Sequence, residues 1–158
     1  MRFFCSIIIK IRKFIIYKIL RKTTHGVRVI MIKKQEILLI KHPYDNFWTL
    51  PGGGIKRYET SLQATKRETL EETGYKILLP IKKLGKYKNF KNGKRDFVTV
   101  YLAEKFIESK HNQNIIDKME IEKSKWFNIN SLPKTSASTK CRITEVLKND
   151  YSFDIRKW

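Results

Sequence analysis

Glu68, Glu71 and Glu72 stand at i, i+3 and i+4 in the stretch RETLEETG. In a helix those offsets put three carboxylates on one flank, with Cβ atoms about 5 to 6 Å apart. Three like charges so placed repel one another. A hard divalent cation held by carboxylate oxygens and water relieves that repulsion, and Mg²⁺ suits the donor set, with Mn²⁺ as the alternative. Zinc fits poorly because no thiolate or imidazole cluster accompanies the carboxylates. Glu59 precedes this flank by nine residues, at a helix start where the dipole favours a carboxylate that could complete the site. Arg67 sits beside the cluster, able to form a charge-assisted fork to one carboxylate, a role in orienting and not in bond breaking. Gly52, Gly53 and Gly54 let the backbone approach a ligand and a metal where side chains would block it.

These residues must be held by a strand, a loop and a helix. The run from Thr60 to Thr73 is rich in helix formers and stops at Gly74, suited to a left-handed cap. Before it, the breaker cluster Pro51-Gly52-Gly53-Gly54 follows a short run, Phe47 to Leu50. Gly26–Ile32 and Glu36–Ile40 are β-rich and flank the turn Lys33-Lys34-Gln35, which predicts a hairpin. A second hairpin is predicted at Asn92-Gly93 between Lys82–Phe90 and Asp96–Phe106. Residues 108–118 read as a loop, Glu120–Ile129 as a strand, and Ser138–Lys148 as a terminal helix. One mixed sheet packed with helices, of α/β composition and α+β type, is the economical architecture.

The chain has 158 residues, 41% apolar and 31% charged, which suits one domain with a real core. It divides into a basic amphipathic segment over residues 1–22, a domain over 23–149 and a tail over 150–158. Lys and Arg outnumber Asp and Glu by 34 to 15, a surplus of +19 that favours anionic partners: nucleotides, RNA or acidic lipid. Residues 1–22 carry seven basic residues and no acid, and their longest uncharged run, Phe3 to Ile9, is too short to cross a bilayer. An imperfect apolar stripe there allows docking on the domain or peripheral contact with an acidic membrane. Two unpaired cysteines, Cys5 and Cys141, argue against a disulfide framework and fit a cytoplasmic setting.

Seven identities at set spacings, Gly53, Glu59, Arg67, Glu68, Glu71, Glu72 and Gly74, would coincide by chance on the order of 10⁻⁸ per start position. That rules out an ordinary acidic helix face. The stretch GGIKRYETSLQATKRETLEETGY resembles the signature of the Nudix hydrolases, G-x5-E-x7-R-E-U-x-E-E-x-G-U with U apolar, at every fixed position. Thr69 and Tyr75 stand at two of its apolar sites. FWTLPGGG and WFNINSLP also resemble the family, so the similarity covers about residues 24–148. The resemblance implies a mixed β-sheet sandwiched between α-helices, and Mg²⁺-dependent hydrolysis of a nucleoside diphosphate linked to another moiety. It further implies that Glu68, Glu71 and Glu72, beside the Gly53 backbone, hold the metal. The attacking water would give its proton to one of these or to a distant carboxylate, Glu120 in preference to Glu122. Arg28, Lys41 and Arg95 are candidate phosphate contacts, and Trp48, Phe47, Tyr44, Tyr87 or Tyr101 could stack on a base. Two rival readings are an RNA 5′-end pyrophosphohydrolase, disfavoured because WTLPGGG lacks a glutamine before the glycines, and a silent nucleic-acid or membrane-surface binding module.

Overall fold

The computed structural model describes residues 23–91, 94–109, 121–151 and 155–158. The amphipathic segment over residues 1–22, the Asn92-Gly93 turn and Glu120 therefore lie outside the described residues.

Strand β1 (Thr24–Lys33) turns through Lys34 and Gln35 into β2 (Glu36–Lys41), with Lys33 already opposite Glu36. The turn is thus two residues long, and Lys34 takes the left-handed φ of 56° that such a tight link requires. A two-residue strand β3 (Trp48–Thr49) pairs with the end of β2, and the glycine loop leads to helix α1 (Ser61–Thr73). Thr60 and Gln63 close a reciprocal capping box at its start, and Gly74, at φ 76°, donates its N–H to the Leu70 carbonyl at its end. Strands β4 (Tyr75–Ile77), β5 (Lys82–Lys91), β6 (Lys94–Ala103), β7 (Phe106–Glu108) and β8 (Lys123–Asn128) follow, then helix α2 (Ala137–Leu147) and strand β9 (Ile155–Lys157).

Among the described residues the strands form a seven-stranded mixed sheet, in order β3-β2-β1-β6-β5-β9 with β8 on β2, and a two-stranded sheet of β4 and β7. β1 runs parallel to β6, and β9 parallel to β5. Alternation along β1 sends Ile30 to one core, with Leu39, Val100, Ile143 and Val146, and Val29 and Met31 to the other, with Leu38, Tyr101 and Leu62. Helix α2 covers the first face and α1 the second, so β2 is apolar on both faces and reads as an unbroken ILLI. This is the expected α+β arrangement.

Three boundaries differ from the sequence reading. β6 ends at Ala103, and Phe106–Glu108 swings away to pair with β4, where the Phe106 ring packs against Tyr75 and Trp126. β8 starts at Lys123 and not at Glu120, because its partner β2 ends at Lys41, directly opposite. The tail contributes a strand: Ile155–Lys157 pairs with β5, and Trp158 meets the Tyr87 ring at 5.8 Å. Three aromatics considered for base stacking are occupied in packing. Trp48 lies edge-on to Phe127, Tyr101 shares a 2.7 Å hydrogen bond with Ser61, and the buried Tyr87 donates to Glu145.

Candidate active site

Residues 51–55 run alongside β1. Val29 N–H donates to the Pro51 carbonyl, Val27 N–H to that of Gly53, and Ile55 N–H to that of His25, each at 2.9 Å. The loop is thereby fastened to the sheet by backbone alone. Gly52 has φ 132°, and a Cβ there would lie 2.2 Å from the Val27 carbonyl oxygen and 2.9 Å from Arg28 Cα. A Cβ on Gly53 would lie 2.6 Å from the Glu68 carboxylate. Gly54 differs: among the described residues no atom lies within 4 Å of its Cβ position. Its contribution is the carbonyl, which accepts from Arg67 Nη2 at 3.0 Å.

Helix α1 lays its inner flank on this loop. Its buried side is built from Ala64, Thr65, Thr69, Glu72 and Thr73. The hydroxyls of Thr65, Thr69 and Thr73 each donate to the carbonyl four residues back, at 2.7, 2.7 and 2.6 Å. Each hydroxyl is satisfied within the helix, so threonine fits where an apolar residue was expected. Buried Glu72 reaches across and accepts from Gly52 N–H at 2.6 Å. One turn earlier, Glu68 faces Gly53.

Arg67 does more than the single fork expected of it. Nε and Nη2 grip both oxygens of Glu59 at 2.8 and 2.9 Å, and Nη1 bridges Glu68 at 2.7 Å and Glu71 at 2.9 Å. The charge relief that the spacing assigns to a metal is thus supplied, for three of the four carboxylates, by a guanidinium inside the cluster. Among the described residues, no three His, Cys, Asp or Glu side chains converge as a ligand set. The donor chemistry nevertheless fits a hard divalent cation. The carboxylates offer only oxygen, and burial pushes the Glu68 carboxyl above its usual range, although Arg67 opposes this. A desolvated carboxylate of this kind gains from a cation beside it.

Glu59, in contrast, is pulled down to about 2, chiefly by its hydrogen bonds to Arg67, against the opposing effect of its own burial. It lies outside the helix, and its second oxygen also accepts from Lys56 N–H at 2.9 Å. Because the folded value is depressed, the stabilisation is complete above the unfolded carboxylate value, about 4.3, and is lost as pH falls toward 2. Replacing Glu59 with Gln should therefore flatten the loss of stability between about pH 4.5 and 2.5. Urea denaturation at both pH values checks it, and an equal acid loss in variant and wild type would contradict it.

Of the remaining candidates, Arg28 is nearest. It lies in β1 beneath Gly52, its charge acts on Glu68, and its Nη1 is buried without a hydrogen-bond partner among the described residues. Lys41 closes β2 opposite Trp48 and Lys123. Arg95 is not brought to the site: it precedes Asp96, the partner of Thr24, and so sits about 17 Å along the strands from Arg28 at about 3.3 Å per residue. Glu122 is exposed beside the end of β2, its N–H on the Lys41 carbonyl at 2.8 Å. Lys56, which no sequence signal marked, places Nζ 4.0 Å from Glu71.

A profile of the NUDIX domain matches residues 22–146. The chain is 30% identical over 135 residues to the "Putative 8-oxo-dGTP diphosphatase" of Bacillus subtilis (strain 168), covering 80% of each chain. It is 37% identical over 49 residues to the 8-oxo-dGTP diphosphatase of Buchnera aphidicola subsp. Acyrthosiphon pisum (strain APS), or 30% of this chain and 40% of that one. In three dimensions it matches the MutT NUDIX hydrolase from Burkholderia pseudomallei with a TM-score of 0.67 and 26% identity, over 79% of this chain and 98% of the other.

Proposed function

Because this chain belongs to the NUDIX family and is a hydrolase of that class, we propose that it cuts the phosphoanhydride chain of a nucleoside triphosphate, with 8-oxo-dGTP as the first candidate substrate. The names of two relatives support the substrate class. The observation that carries the chemistry is the Glu59–Arg67–Glu68–Glu71 network set against the glycine loop, with Glu72 tied to Gly52.

NUDIX hydrolases generally use a divalent metal, and here Mg²⁺ is the proposed ion, with Glu68, Glu71 and Glu72 as its carboxylate donors. When bound it would neutralise charge building on the phosphoryl oxygens and lower the pKa of water. The chain's own residues do the rest. Arg67 holds Glu68 and Glu71 at fixed separation. Gly52 N–H fixes the rotamer of Glu72. Arg28, with a buried N–H to spare beside Glu68, takes a phosphate oxygen of the substrate. Water adds to phosphorus, the bridging P–O bond breaks, and nucleoside monophosphate and pyrophosphate leave. The water proton passes to a carboxylate, for which Glu71 on the helix and Glu120 beyond it are the proposed acceptors. Among the described residues no helix is long and apolar enough to cross a membrane, and the cytoplasmic setting remains the proposal drawn from cysteine usage.

Incubating the protein with Mg²⁺ and a panel of 8-oxo-dGTP, dGTP, ADP-ribose, a UDP-sugar and triphosphorylated RNA, with product analysis by anion exchange, checks the reading. Monophosphate and pyrophosphate should form from 8-oxo-dGTP, and excess chelator should abolish the reaction. Turnover confined to the RNA would move the assignment to 5′-end processing, and undiminished turnover in chelator would refute the metal.

A further inference from the structure

Helix α1 covers only part of its face of the sheet. Its first residue, Ser61, meets Tyr101, which lies in the first of three cross-strand rows on the same face, and in the first two rows the β1 and β6 members are buried. The rows are Val29–Tyr101–Lys83, then Val27–Thr99–Lys86–Ile155, then His25–Phe97–Lys88–Lys157. Residues opposite one another in a ladder share a face. The β5–β9 margin of this face therefore carries four lysines and the last row also two rings, with no acid in any row. The His25 and Phe97 rings stack at 5.5 Å and 13°, and Lys86 Nζ lies 4.8 Å from the centre of the Phe97 ring. His25, Lys83, Lys88 and Lys157 are exposed.

The opposite face of the same margin is built differently. There Arg142 and Arg156 are neutralised by Glu145, and Arg156 also by Asp150. Among the described residues Lys83, Lys86 and Lys157 have no such acidic partner. An exposed sheet margin, with the His25–Phe97 stack beside Lys83, Lys86 and Lys157, matches a ligand that is both polyanionic and aromatic. Lipid headgroups offer the charge without the flat rings, and acidic proteins do not set a ring beside each regularly spaced charge. We propose that this face binds single-stranded nucleic acid, with phosphates along the β5–β9 lysines and a base on the His25–Phe97 pair. It uses none of the carboxylates, and His25 meets the glycine loop only through its backbone carbonyl, which a side-chain change leaves in place.

Fluorescence anisotropy with the full chain and a labelled single-stranded oligothymidylate, across a salt series, tests it. Changing Lys83, Lys86 and Lys157 together to Gln should weaken binding at least about tenfold and flatten the slope of log affinity against log salt by about 2, at about 0.7 per phosphate contact. Changing Lys33, Lys34 and Lys148 to Gln, an equal loss of charge elsewhere, should alter affinity less than about twofold. His25→Ala should weaken binding about fivefold or more with the salt slope unchanged. Nucleotide hydrolysis by each variant should match wild type, which certifies the fold. Equal weakening by the two lysine triples would overturn the proposal, since the net charge alone would then explain binding. Binding to phosphatidylserine vesicles but not to the oligonucleotide would also overturn it.

Discussion

Glu72→Gln is expected to lower kcat at least about a hundredfold while leaving the fold in place. The amide keeps the shape of the carboxylate and can still accept from Gly52 N–H, the 2.6 Å bond that ties the helix to the loop. What disappears is one negative charge at a position only 9% exposed. Loss of a charge that acts in the transition state of phosphoryl transfer is worth several kcal/mol, and about 1.4 kcal/mol corresponds to each tenfold in rate. Steady-state kinetics on the substrate identified by the panel, with circular dichroism and thermal melting alongside, check it. Turnover within about threefold of wild type in a folded variant would remove Glu72 from the chemistry.

The second large effect is on folding. Gly52→Ala should lower stability by at least about 2 kcal/mol, because the new Cβ would press on the Val27 carbonyl oxygen at 2.2 Å and on Arg28 Cα at 2.9 Å. Both obstacles are backbone, so no rotamer change relieves them. Overpacking costs roughly 1–3 kcal/mol and a residue held in a sparsely populated φ region a similar amount. For a domain of this size the melting temperature should fall by about 5 °C or more. Gly54→Ala provides the contrast, since its Cβ would meet nothing within 4 Å among the described residues. Melting both variants decides the matter. Similar curves for the two would show that the loop moves aside and that its close contact with β1 is not a constraint.

The two predictions separate chemistry from architecture at one junction. Glu72 and Gly52 are bonded to each other, yet conservative changes should fail in different assays. A change at Gly53 would combine the effects, as its Cβ position is occupied by the Glu68 carboxylate.

The local features of this protein could be read from its residues. Thr60 and Gln63 make a capping box, Gly74 a left-handed stop, and between them the offsets of Glu68, Glu71 and Glu72 put three carboxylates on one flank. Strand alternation separated Val98, Val100 and Leu102 from Thr99 and Tyr101, as the two cores confirm. Such features are written within a turn of helix or a few strand residues, where steric preference and periodicity act directly.

Other features depended on pairs far apart in sequence. Spacing puts Arg67 beside Glu68 and Glu71, but its further grip on Glu59 and the Gly54 carbonyl forms only once the loop is fastened to β1. Charge spacing therefore predicted an electrostatic need, and the fold adds Arg67 as a cation that meets part of it from within the cluster. The same holds for Arg95, a reasonable phosphate contact by strand position, which the parallel register of β1 and β6 carries about 17 Å away at about 3.3 Å per residue. Residues 155–157, expected to be a tail, became a strand because β5 had an open edge and Trp158 could cover Tyr87. Residue types and short spacings determined which chemistry was available; which groups meet was decided by the surfaces that bury together, a property of the whole chain and not of any window in it.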